Sequence, residues 1–125
     1  MNFEFDNNTP IYIQLVEQLK ICIISGYFKL GERLPSVRDL ALKIKVNPNT
    51  VQKALGELEE LKLIYTERTN GKFVTENKSL IDKYKNEYAK ELSKKYLYNM
   101  QKIGFNEFET IKYLKEIGGD KKWIY

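Results

Sequence analysis

Two helix-start signatures, at Ser36 and at Asn47-Pro48, follow one another so closely that only one short helix and a tight turn fit between them. Ser36 is an N-cap type, and Asp39 three residues on completes a capping-box pattern. Asn47 is a second cap, and Pro48 suits a first helical turn, where the N–H it lacks would have no partner anyway. Val37, Leu40, Ala41 and Ile44 fall on one face of the first helix, so Lys43 to Val46 has to be the turn. In the helix after it, Val51, Ala54, Leu55, Leu58 and Leu61 share one side, and Asn49, Gln52, Lys53 and Gly56 share the other.

The flanks extend this pair. A helix is predicted to start near Thr9 with Pro10 in its first turn. Its inner stripe is Ile11, Leu15, Leu19 and Ile23, with Val16 and Cys22 beside it, and Ser25-Gly26 is its stop. A short loop, YFKLGERLP, joins it to Ser36. From Leu63 the period changes to alternation, and the runs at residues 64–67 and 72–75 flank Asn70-Gly71, a strong hairpin signal. Three helices and a hairpin make a winged helix-turn-helix, whose second motif helix presents its N-terminal half to a major groove. Its core, with Leu15, Leu19, Leu40, Val51, Leu55 and Leu58, is expected to lie wholly within residues 1–75. Residues 76–79 read as a linker to a helical tail, 76–125. There Leu80, Tyr84, Tyr88, Leu92, Tyr96 and Met100 recur every four residues, with Ile81, Ala89 and Leu97 beside them. Gly104-Phe105 breaks that helix. Asn106 with Glu109 caps a last one, which places Ile111, Leu114 and Ile117 inside.

Charge is informative only locally. The net charge of +4 is mild, and residues 1–75 carry almost as many acids as bases. Yet no acid stands between Asp39 and Glu57, a window that holds Lys43, Lys45 and Lys53. A helix that only packed would gain from acids on its first turn. An anionic partner is the expectation. Taken singly, Asn47-Pro48 is a plain capped start and the lysines are solvated surface charge. The hairpin changes the balance, because it sets Arg68 and Lys72 beside the same helix, so that helix and wing together fit a duplex.

Other classes fit poorly. With no histidine the commonest acid–base group and metal ligand is missing. There is no Gly-rich phosphate loop, so neither an enzyme, a metal site nor a cofactor is expected. Cys22, the single cysteine, sits in an apolar stripe and reads as an inert buried thiol. The N-terminus lacks the basic and then apolar run of a signal peptide, and lysines and glutamates interrupt every apolar stretch. A cytoplasmic protein, nucleoid-associated when bound to DNA and without membrane contact, is expected. The main rival function is a winged helix serving as a protein-interaction module, which would call for an apolar or acidic outer face on the third helix.

The strings GERLPSVRDLA, VNPNTVQKALGELEELKLI and a glycine-containing wing closing in FVT resemble the GntR family of bacterial transcription regulators, and the short helical tail is similar to its YtrA-like branch. The motif match spans about residues 9–75. The resemblance implies a homodimeric regulator, a repressor in that branch's habit, on a palindromic DNA operator. It implies that Ser36 holds phosphate and Arg38 base edges, that Asn49, Thr50, Gln52 and Lys53 sit at the groove, and that Gly71 with Lys72 reaches the minor groove or its phosphates. On the reading of the residues themselves, Lys45, Asn47 and Arg68 complete the expected DNA-binding set. Pro48 stands where several members place a groove-reading arginine, and Thr69 where the wing usually has its first glycine.

For the tail the residues leave three readings. It packs on its own winged helix, it pairs two chains, or it forms an aromatic pocket for an unknown small effector. Two helices alone bury little, and aromatics favour interfaces. Pairing through Leu80, Ile81, Tyr84, Tyr88, Leu92, Tyr96, Met100, Phe108, Ile111 and Leu114 is therefore the expectation. Tyr98, Phe105, Tyr113, Trp123 and Tyr125 complete the aromatic set.

Overall fold

A computed structural model describes residues 1–119; Trp123 and Tyr125 lie outside the described residues. The element order is α1 (Ile11–Ile24), α2 (Val37–Ile44), α3 (Pro48–Glu60), β1 (Ile64–Glu67), β2 (Gly71–Val74), α4 (Lys78–Lys102) and α5 (Glu107–Gly118). The chain divides into two compact units, Met1–Lys85 and Asn86–Tyr125. Helices α1 to α3 with the antiparallel β1–β2 hairpin form the expected winged helix-turn-helix, and helices follow it.

The motif is built on its caps. Ser36 Oγ accepts the Asp39 N–H at 3.1 Å, and Asn47 Oδ1 accepts the Asn49 N–H at 2.7 Å. Between the two helices Lys45 takes the left-handed conformation, φ 64, and the Val46 N–H returns to the Ala41 carbonyl at 3.1 Å. That conformation costs a residue with a Cβ roughly 1–2 kcal/mol. A lysine at a helix C-terminus recovers part of this from the dipole, and Lys62 closes α3 in the same conformation. Helix α1 starts at Ile11 behind Pro10 with no side-chain cap, so Thr9 stands outside it.

The hairpin sits where Asn70-Gly71 points, but Gly71 is already the first residue of β2. Glu67 pairs with Gly71, leaving Arg68, Thr69 and Asn70 as a three-residue loop that Gly71 closes at φ 101. This is the loop length in which glycine supplies the left-handed step. The segment expected as a loop before α2 adds a third rung. Arg33 bridges Phe73, the Leu34 N–H donates to the Lys72 carbonyl at 2.8 Å, and the Val74 N–H donates to the Glu32 carbonyl at 2.9 Å. The rung carries Leu34 into the core, and Phe28 on the same connection is also buried.

Leu15, Leu19, Leu40, Val51, Leu55 and Leu58 are all buried as expected, together with Leu63, Ile64 and Val74. Ile11, expected in the stripe, is 38% exposed. The core also reaches past Thr75. Ile81 is buried in it, and Leu80 and Tyr84 pack against it. Residues 78 and 79, expected in a linker, belong to α4, whose first turn is held by the Leu80 N–H on Asn77 Oδ1 at 3.1 Å.

An N-terminal arm completes this unit. Met1, Phe3 and Phe5 alternate inward against the core. Gln18 grips Glu4 by both its N–H and its carbonyl, at 3.1 and 2.7 Å, and Gln14 grips Asp6 in the same way at 3.0 Å each. Two side-chain amides one turn apart on α1 thus stand in for a neighbouring strand.

In the second unit the Asn106–Glu109 capping box forms in both directions. Burial there differs from the helical phase expected. Thr110, whose hydroxyl donates to the Asn106 carbonyl at 2.8 Å, is fully buried, whereas Ile111 and Leu114 are each 46% exposed.

Candidate nucleic-acid interface

Helix α3 carries its charge against the preference of its dipole. It has no acid in its first turn and no base in its last, and Glu57, Glu59 and Glu60 all lie in its C-terminal half. Its N-terminal half shows Asn49, Gln52 and Lys53 to solvent, with Thr50 half-buried beside them. The α2–α3 turn adds exposed Lys43 and Lys45, and the first turn of α2 adds exposed Arg38; none of the three pairs with a carboxylate among the described residues. A positive helix end, four cations and three amide or hydroxyl side chains therefore share the motif's helices. That combination suits a polyanion with hydrogen-bonding edges.

Several of these side chains already have work in the free protein. The oxygens of Ser36 and Asn47 are taken by capping bonds, which leaves the Ser36 hydroxyl proton and the Asn47 amide protons to donate outward. The Lys53 ammonium lies over the Tyr12 ring, 3.7 Å from its centroid, so α1 orients it. On the wing, Arg68 is exposed in the loop. Lys72 is not directed outward. Its ammonium lies 3.5 Å from Glu59 Oε1 and donates to Thr66 Oγ1 at 2.9 Å, while the Thr66 hydroxyl donates to Glu59. On the other side of the hairpin Tyr65 stacks on Phe73, ring centroids 5.6 Å apart. Desolvation raises the Tyr65 phenol pKa, and the carboxylates of Glu76 and Glu67 push the same way.

Arg33 escaped the sequence reading. Its bridge to Phe73 brings an exposed guanidinium to the wing, with Nε 3.3 Å from the point where a Cβ on Gly71 would stand. The signal available was the run GERL next to a helix cap, too short to show alternation.

The residues expected to pair chains divide by location. Ile81 is spent in the core of the first unit, with Leu80 and Tyr84 packed on it, and the Lys20 ammonium lies 5.1 Å from the Tyr84 ring centroid. Met100 is buried in the second unit. Tyr88 and Tyr96 are half-buried. Leu92, Phe108, Ile111 and Leu114 are exposed, at 66, 76, 46 and 46%. Leu92, Tyr96 and Leu114 line one open groove with Ser93 and Leu97.

Elsewhere, Cys22, expected to be buried, is only half-buried; its partial desolvation raises the thiol pKa against a smaller opposite pull from the N-terminal ammonium. Among the described residues no cluster of acids and cysteine could hold a metal ion, and no helix is long and apolar enough to cross a membrane.

The model of the gntR family of bacterial regulatory proteins matches residues 11–74, from the start of α1 to the end of β2. The chain belongs to the GntR family. Its similarity to individual GntR proteins runs beyond the matched module. The transcriptional repressor YtrA of Bacillus subtilis is 38% identical over 93% of this chain and 90% of its own length. A GntR family transcriptional regulator from Listeria monocytogenes superposes with a TM-score of 0.81 at 42% identity, covering 90% of this chain and 98% of that one. The AraR DNA-binding domain, solved in complex with operator ORX1, is 25% identical with a TM-score of 0.55 over 60% of this chain and 96% of its own. Membership in GntR places the chain among transcription regulators rather than enzymes.

Proposed function

We propose that this GntR chain is a sequence-specific DNA-binding repressor that occupies a palindromic operator as a homodimer. Helix α3 enters the major groove, and the wing rests on the adjacent backbone or minor groove. The observation that carries this reading is the acid-free, cation-rich face of the α2–α3 motif, set at a helix N-terminus with no acid in its first turn. An interaction module would need an apolar or acidic face there. The names of two relatives support the reading: YtrA is a repressor, and the AraR domain was solved on an operator.

Ser36, Lys43 and Lys45 hold phosphates in this arrangement, and Arg38 reaches a base edge. Asn49 and Gln52 face bases, Thr50 meets a thymine methyl, and Asn47 and Lys53 hold the adjoining backbone. At the wing Arg68 and the backbone at Gly71 approach the neighbouring strand, with Lys72 behind them. Residues 1–75 supply the DNA contacts, and 76–125 join the two chains, with the first turns of α4 also supporting the winged helix. Among its described residues the second unit buries only Met100 and Thr110. A helical segment with so little interior gains stability by pairing its apolar faces with those of a second copy. The working compartment is the cytoplasm, at the nucleoid.

Selection of bound duplexes from a random-sequence library, followed by binding to single-base variants of the selected site, tests this. The selected site is two-fold symmetric. Gln52→Ala costs about 1–3 kcal/mol at one base position per half-site and relaxes the preference there. Recovery of no preferred sequence contradicts the reading, and uniform weakening by Gln52→Ala reduces that residue to a backbone contact.

A further inference from the structure

We propose that Arg33, which lies outside both the helix-turn-helix and the hairpin, is the cation by which the wing holds DNA, in the role that sequence position would give to Lys72. The proposal rests on the DNA-binding reading above.

Alternation along β2 puts Lys72 on the same side as buried Val74, toward α3. There the ammonium is committed to Glu59 and Thr66, and the Lys72 side chain is only 20% exposed. Reaching a phosphate would require Lys72 to abandon a carboxylate and leave Glu59 unmatched beside another anion. Gly71 and Phe73 occupy the opposite side, and Arg33, paired across from Phe73, joins them. Backbone bonds fix the Arg33 segment on both flanks, from Leu34 N–H to the Lys72 carbonyl at 2.8 Å and from Val74 N–H to the Glu32 carbonyl at 2.9 Å.

The guanidinium then rests over Gly71, with Nε 3.3 Å and Nη2 3.5 Å from the site of the absent Cβ. Gly71 thereby serves twice, once through its φ of 101 and once by leaving room for Arg33. Arg33 is exposed and has no carboxylate partner among the described residues. Its planar fork can grip a phosphate with two bonds or enter a narrow minor groove, and neither burial nor pH removes its charge. Arg68 supplies a second exposed cation on the wing loop. The ligand chemistry is the anionic edge of a duplex beside the wing.

The test uses the intact chain, a mixed-sequence duplex and a duplex with A·T-rich flanks, with binding followed by fluorescence anisotropy across a salt series. Arg33→Gln is expected to lower the log–log salt slope by about one per protomer and to weaken binding about tenfold or more, whereas Lys72→Gln stays within about twofold of the parent. Equal loss on both duplexes marks a phosphate contact, and loss confined to the A·T-rich flanks marks a minor-groove contact; either supports the proposal. Arg33→Lys keeps the salt slope and so separates lost charge from a disturbed fold, and thermal melting of each variant checks the same point. A slope that drops with Lys72→Gln and not with Arg33→Gln overturns the proposal while leaving the DNA-binding reading standing. A parent protein that binds neither duplex at low salt overturns both.

Discussion

In the proposed homodimer, glutamate at both Leu92 and Leu114 is expected to separate the two chains and to lower affinity for the full operator by roughly 10²–10⁴-fold. That range is the avidity lost when the second half-site no longer benefits from tethering. The two leucines face one open groove with Tyr96 and Leu97, and both are exposed within their own chain. New carboxylates there are solvated in the monomer and become costly only when a second chain would desolvate them. Tyr84 is a worse position for the same experiment, because it packs on the core of the first unit with the Lys20 ammonium near its ring. A truncated control has to end at Lys85 rather than at Thr75, since Ile81 closes the winged-helix core. Sedimentation velocity and anisotropy on one- and two-half-site duplexes read the outcome. A double variant that still sediments as a dimer removes this groove from the interface.

Raising salt from about 50 to about 200 mM weakens operator binding by roughly 10³–10⁵-fold, the range for a protein that neutralises about six to ten phosphates. Arg33, Lys43, Lys45 and Arg68 are exposed cations of one winged helix, and two copies in the proposed homodimer fall in that range. Lys53 adds less than its charge suggests while it stays over the Tyr12 ring. A log–log plot of affinity against salt gives the slope directly. A flat plot contradicts the assignment of these side chains to phosphates.

What could be read from sequence followed from interactions that are local in the chain. The caps at Ser36 and Asn47, the reciprocal box at Asn106 and Glu109, and the glycine of the wing each depend on residues two to four apart, and each formed. Core positions in α1 to α3 were legible because one helical face had to be apolar. The placement of Arg33 was not, because it depends on pairing between segments far apart in the chain, which no local pattern announces. Lys72 was given an outward role for a related reason. Its partner Glu59 sits on another element, so only the hairpin register shows which way Lys72 turns. In α5 the phase was ambiguous, since Thr110 and Ile111 are neighbours and a hydroxyl bonded to its own helix buries easily. The N-terminal arm did leave a signal, the alternation of Met1, Phe3 and Phe5, but the glutamines that hold it carry none.

The charge order of α3 also constrains how the protein can be improved. An acid at Asn49 or Thr50, in the first turn of α3, would stabilise the free helix by about 0.3–1 kcal/mol, and any screen for thermal resistance or expression would favour it. On the proposed reading the same acid would face the DNA's own charge. Directed evolution for robustness therefore runs downhill away from function at these positions, and libraries meant to keep activity should hold residues 49–53 fixed while varying the outer face of α1.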